Sequence, residues 1–132
     1  MRKWKKGPRR VVSQLITAVS ICVIAITVAT RVFALSQTAN EIRSLLEFVE
    51  KSDCRFIRNG ADYSGPRARA HLEQKLNYLE SKNMVRSAED FIDLAATKSS
   101  VSGRAYEVRC SGDVEPASVW LHRELQKQRE VR

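Results

Sequence analysis

The segment Cys54-Arg55-Phe56-Ile57-Arg58-Asn59-Gly60 is short, rich in β-favouring side chains and stopped by an Asn-Gly pair, a strong turn signal. A second segment, Arg104-Ala105-Tyr106-Glu107-Val108-Arg109-Cys110, alternates, with Tyr106, Val108 and Cys110 on one side and Glu107 and Arg109 on the other. Laid antiparallel with Cys54 opposite Cys110, the two segments place Phe56 opposite Val108 and Arg58 opposite Tyr106. Directly opposed residues share a face of a sheet, so one register aligns the cysteines and the apolar residues together. That agreement predicts a two-stranded antiparallel element closed by a Cys54–Cys110 disulfide.

Helical periodicity surrounds these strands. Thr38-Ala39-Asn40-Glu41 fits a capping box, in which Thr38 caps a helix and Glu41 reaches back to its amide. Ile42, Leu45, Leu46 and Val49 then form one apolar face over about Ala39 to Lys51. After the turn, Asp62 to Pro66 reads as a polar loop containing Tyr63, and Pro66 suits the first turn of a second helix striped by Ala68, Leu72, Leu76 and Leu79. Ser87-Ala88-Glu89-Asp90 starts a third helix, with Ala88, Phe91, Ile92 and Ala95 facing inward. A fourth, from Pro116 to about Arg129, presents Trp120, Leu121 and Leu125. The expected class is α+β, mainly helical: about four short helices with the two-stranded element and one disulfide.

The N-terminus reads as an export signal. Arg2, Lys3, Lys5, Lys6, Arg9 and Arg10 precede an uncharged run from Val11 to Thr30, and Val32-Phe33-Ala34 suits cleavage after Ala34. Residues 1–34 are therefore expected to be a signal peptide and residues 35–132 a single small exported domain. The alternative is an uncleaved inner-membrane anchor, because Val11 to Thr30 is about long enough to span a bilayer. Ser13, Gln14, Thr17, Ser20, Thr27 and Thr30 interrupt that run and favour cleavage. Either way the basic flank keeps the remainder on the periplasmic side.

Charge follows from the same segment. Residues 1–34 hold seven of the 23 Lys and Arg and none of the 15 Asp and Glu, leaving a net of only +1 on the remainder. The formal +8 of the whole chain is thus mostly an orientation signal, and nucleic acid is not an expected partner. The remaining cysteines, Cys54 and Cys110, are an even pair, as an oxidising compartment favours.

The densest polar cluster is Arg58, Asn59 and Tyr63, followed by His71 and Lys75 on the second helix, where His71, Lys75 and Tyr78 share one edge of the apolar stripe. The stretch Thr97-Lys98-Ser99-Ser100-Val101-Ser102-Gly103 offers hydroxyls and backbone amides that suit an anion near a turn. Since Arg58 is expected opposite Tyr106, the two clusters are expected to converge. The plainer alternatives are a His71 that bonds a neighbouring loop, a Lys75 that extends past Leu72 and Leu76, serines that only terminate the third helix, and a Trp120 in the core. No metal site, cofactor or catalytic residue is indicated: neither His71 nor His122 has ligand spacing around it, and nucleophile-elbow, Walker and dinucleotide motifs are absent from the sequence.

With these residues in place, the domain resembles the YfeK-like family, small exported bacterial proteins of unknown function. The resemblance runs from about Glu41 to Leu125 and rests on "EIRSLLEFVEKSDCRFIRNG", on Tyr63 followed by "ARAHLEQKLNYL", on "SAEDFI" and on "KSSVSGRAYEVRC". It implies a cell-envelope location and one compact domain, and supplies no activity, cofactor or catalytic residue. The functional expectation is a non-catalytic binding or accessory module. In it Arg58, Asn59, Tyr63, His71, Lys75, Ser99, Ser100, Ser102 and Tyr106 recognise an anionic group on an envelope component or a protein partner. The alternatives are a small periplasmic hydrolase with His71 as general base and an interaction domain using an exposed apolar patch around Trp120.

Overall fold

A computed structural model describes residues 36–131, so the expected signal or anchor segment lies outside the described residues. Among the described residues, helix α1 covers 36–51. It is followed by β1 (Arg55–Arg58), β2 (Ala61–Tyr63), α2 (Gly65–Ser81), α3 (Ala88–Phe91), β3 (Glu107–Cys110), β4 (Asp113–Pro116) and α4 (Ala117–Glu130). The class is the expected mainly helical α+β. The helices supply the apolar faces that cover one side of an antiparallel sheet.

That sheet has four strands in the order β2-β1-β3-β4, with the expected pair at its centre. Phe56 stands opposite Val108, as the sequence register requires. Cys54 and Cys110 are bonded with their Cα atoms 4.6 Å apart, the spacing of a non-hydrogen-bonded antiparallel pair. The two flanking strands were not expected. Asn59 and Gly60 take φ of 53° and 82°, and Ser111 and Gly112 take 52° and 98°. Positive φ at both central residues makes a two-residue hairpin turn whose twist matches the strands it joins. The first turn pairs Ala61–Tyr63 with β1, so part of the expected polar loop at 62–66 is an edge strand, and Tyr63 comes opposite Phe56. The second turn folds Asp113–Pro116 back on β3.

The core lies between this sheet and the helices. Leu45, Val49, Phe91, Ile92, Leu121, Leu125 and Val108 are essentially inaccessible. Each such side chain contributes roughly 1.5–3 kcal/mol of burial free energy. Trp120 stacks on Phe48 at 4.4 Å and meets Phe56 edge-on at 5.6 Å. It is only 7 % exposed, so the interaction-domain reading loses its exposed Trp120 patch.

Two local expectations are corrected. Thr38 sits inside α1, and its hydroxyl donates to the Arg86 carbonyl, so it caps nothing. Glu41, buried on the same helix, receives Arg129 of α4. The third helix starts as expected, with the Ser87 hydroxyl accepting the Asp90 amide, and then loosens into a π-helical turn over Ile92–Ala96.

The entry to α2 is tight. A methyl group at Gly65 would lie 2.5 Å from the Val49 carbonyl oxygen and 2.6 Å from that of Glu50. Backbone atoms cannot yield as a side chain does, so the start of α2 rests directly on the end of α1. Gly65→Ala is expected to cost about 2 kcal/mol, read as a lower midpoint in chemical denaturation. An unchanged midpoint would mean the two helix ends separate freely.

Candidate functional site

Where β1 runs out, Arg58 lies on the same sheet face as Phe56 and looks towards α2 and the end of β3. Its guanidinium lies 2.7 Å from Nδ1 of His71 and over the Tyr63 ring at 4.9 Å. Nε2 of His71 lies 3.0 Å from the Tyr106 hydroxyl. An arginine only donates, so Nδ1 is the acceptor and the neutral ring carries its proton on Nε2, which donates to Tyr106. Arg58, His71 and Tyr106 thus form a directional chain of hydrogen bonds.

Tyr106 is held by its backbone as well. Its amide donates to the Thr97 carbonyl at the end of the π turn, and its carbonyl accepts from Ala117 at the start of α4. Lys75, one helical turn beyond His71, donates to the Lys98 carbonyl at 2.8 Å and covers the Tyr106 ring at 5.0 Å. The buried Ser99 hydroxyl accepts the amides of Val101 and Ser102. The Ser102 hydroxyl donates to Asn59 at 2.7 Å, fastening the 99–103 turn to the β1–β2 turn.

These residues border a cavity of about 300 Å³, at the small end of ligand-binding pockets. Arg58, Tyr63, His71 and Tyr106 line it, together with Arg67, Gln74 and Glu107, which sequence reasoning missed. Phe56, Leu72, Ala96 and Leu121 form its apolar floor. The signal for Arg67 was available: it stands four residues before His71 and eight before Lys75, on the same helical edge. Lys75, Asn59, Ser99 and Ser102 support the wall from behind through the bonds just given. Ser100 is exposed, and among the described residues no hydrogen bond or ion pair joins it to the others.

The local field is positive. Desolvation, then the charges of Arg58 and Lys75, hold the His71 imidazole below its usual value. Desolvation and Arg58 likewise lower Lys75. Burial pushes the Tyr106 phenol up, against the opposing pull of Arg58 and the Ser99 hydroxyl. A neutral His71 whose lone pair is taken by Arg58 is no free general base, and among the described residues neither a carboxylate nor a serine hydroxyl bonds it. Nor do the described residues include any group of three or more His, Cys, Asp or Glu able to hold a metal ion.

Arg58 stands apart from its peers. Four described arginines are half-buried: Arg58, Arg69, Arg109 and Arg129. Arg69 holds Glu50 and Glu73, Arg109 holds Asp62, and Arg129 holds Glu41 and Glu89. Arg58 alone of the four has no carboxylate partner, and it is the one that lines the cavity.

Fold and site together define a small two-layer α+β domain with a basic, aromatic-walled cavity at the end of its central strands. The family model for a family of unknown function, DUF5329, matches residues 36–129, and the chain belongs to that family. It is also 39% identical over 57 residues to the uncharacterized protein YfeK of Salmonella typhimurium, covering 43% of this chain and 46% of that protein. The match thus spans about half the length of that relative. No solved structure matches the chain.

Proposed function

We propose that this chain is a non-catalytic binding or accessory module of the bacterial cell envelope, whose cavity receives an anionic group from an envelope component or a protein partner. One observation carries the reading: Arg58 is half-buried at the cavity without a carboxylate, while every comparably buried arginine described has one. A desolvated guanidinium favours a charged acceptor, and a carboxylate or phosphate matches its planar fork. Arg67 and Lys75 add to the positive field, and the neutral His71 holds Arg58 in place. The basic N-terminal segment supports export, and the Cys54–Cys110 bond is of the kind that persists in oxidising compartments. In this reading the membrane is touched only through the N-terminal segment.

The test is an amide-shift titration of the full chain with acetate and with inorganic phosphate. Shifts should gather at Arg58, Tyr63, Arg67, His71 and Tyr106. Replacing Arg58 and His71 together by glutamine should weaken that response by about 10- to 100-fold, the worth of a charge-assisted hydrogen bond, with little change in Tm. Collapse of the fold in the double variant, or shifts scattered over the surface, would make these residues structural.

A further inference from the structure

The shape and charge of the cavity narrow the anion it takes. Its lining is two-part: guanidinium groups and phenols at the rim, and Phe56, Leu72, Ala96 and Leu121 beneath them. Phe56, Leu72, Ala96 and Leu121 are themselves buried core residues, so the floor is rigid as well as apolar. A small, fully hydrated anion would use the rim and leave the apolar end of the cavity unfilled. Tyr63 lies between two cations, with Arg58 at 4.9 Å and Arg67 at 5.7 Å from its ring centre. Neither guanidinium has a carboxylate partner among the described residues. One N–H group of Arg58 is committed to His71, so only part of its fork remains for a ligand.

We infer that the cavity binds an organic monocarboxylate with a compact, ring-sized apolar body, its acid group held by Arg58 and Arg67 and its body resting on the floor of Phe56, Leu72, Ala96 and Leu121. The inference rests on the anion-binding reading and adds the ligand class. The carboxylate is monovalent, which suits an Arg58 whose fork is already partly taken by His71. The apolar body is itself taken out of water against that floor, a gain that a free phosphate cannot make. Tyr63 and Tyr106 provide flanking rings that an aromatic or alicyclic body meets edge-on or offset.

Calorimetric titration of the full chain with benzoate, benzamide and inorganic phosphate decides it. Benzoate should bind, and benzamide, equal in size but uncharged, should bind at least about tenfold more weakly. Inorganic phosphate, equally anionic but without a body to bury, should also be at least about tenfold weaker. Arg58→Gln should abolish the preference for benzoate over benzamide. Ala68→Leu, which narrows the cavity from α2, should weaken benzoate while leaving any phosphate binding as it was. The wild-type comparison of the three probes needs no variant to fold. If phosphate binds more tightly than benzoate through Arg58, the monocarboxylate assignment falls and the anion site stands. If benzamide equals benzoate, the apolar floor alone is binding and the charge assignment falls. If none of the three binds, both readings fall.

Discussion

Replacing Cys54 and Cys110 together by alanine is expected to lower the unfolding free energy by about 4 kcal/mol. The bond joins residues 56 positions apart, and closing a loop of that length removes about that much chain entropy from the unfolded state. For a domain of this size each kcal/mol moves Tm by several degrees, so a fall on the order of 15 °C or more should follow. The bond also sits at one end of the β1–β3 ladder, whose other end carries Arg58 towards His71. Thermal unfolding followed by circular dichroism checks this, and a reducing agent acting on the wild type should reproduce the variant. A loss under about 1 kcal/mol would mean that the unfolded chain gains little freedom when the bond is removed.

The second large effect is expected at Arg129. Its guanidinium donates to both carboxylate oxygens of Glu41, at 3.0 and 2.8 Å, and to Glu89 at 2.6 Å. Those bonds tie α4 to α1 and α3. The Glu41 side chain is only 3% exposed, whereas those of Arg129 and Glu89 are 33% and 38% exposed. Arg129→Met takes a two-pronged cation away from a buried carboxylate, and about 3 kcal/mol of destabilisation is expected, the low end for a buried pair because Arg129 is partly solvated. The pH dependence has a definite sign. The bond from Arg129 is the chief cause holding the Glu89 carboxyl below its usual value. A depressed folded-state value contributes stability above the unfolded carboxylate value of about 4.3, and loses it as pH falls through the lower folded value. Wild-type stability should therefore drop in that acid range, and Arg129→Met should drop less. Denaturant midpoints at pH 7 and through the acid limb measure both effects.

Much of this architecture was legible in the chain. Where a periodic apolar stripe met the start signals at Ser87 and Pro66, the helix formed within a residue or so of its expected place. The central strand register was readable because cysteine pairing and apolar pairing demanded the same alignment. The edge strands were harder to see. Ala61–Tyr63 and Asp113–Pro116 are three and four residues long, largely polar, and carry no sustained alternation. They exist because Asn59-Gly60 and Ser111-Gly112 reverse the chain tightly beside a strand already formed. Glu41 was misread for a related reason: capping-box spacing is local, while its partner Arg129 lies 88 residues away.

The site divides in the same way. Arg58, Tyr63, His71 and Tyr106 converge, as the register and the helical edge implied. Ser100 does not, because the turn points it outward while Ser99 takes the buried position. Arg67 was within reach of the same helical wheel. Glu107 was not, since strand alternation assigns it to the opposite side of β3 from Tyr106.

In the proposed reading, Arg58 takes an anion while it holds a neutral His71. The most direct measurement is the pKa and tautomer of the His71 ring by nuclear magnetic resonance, with and without a saturating carboxylate such as benzoate. The free protein should show the Nε2–H tautomer and a pKa below the usual imidazole value of about 6.5, as burial and the flanking Arg58 and Lys75 require. Because the folded value is depressed, acidification through that range should also cost stability until the ring is protonated in both states. Added carboxylate should offset the charge of Arg58 and raise the His71 pKa. A ring that titrates at or above about 6.5 in the free protein, or one that carboxylate leaves unmoved, would overturn the anion-binding role of Arg58.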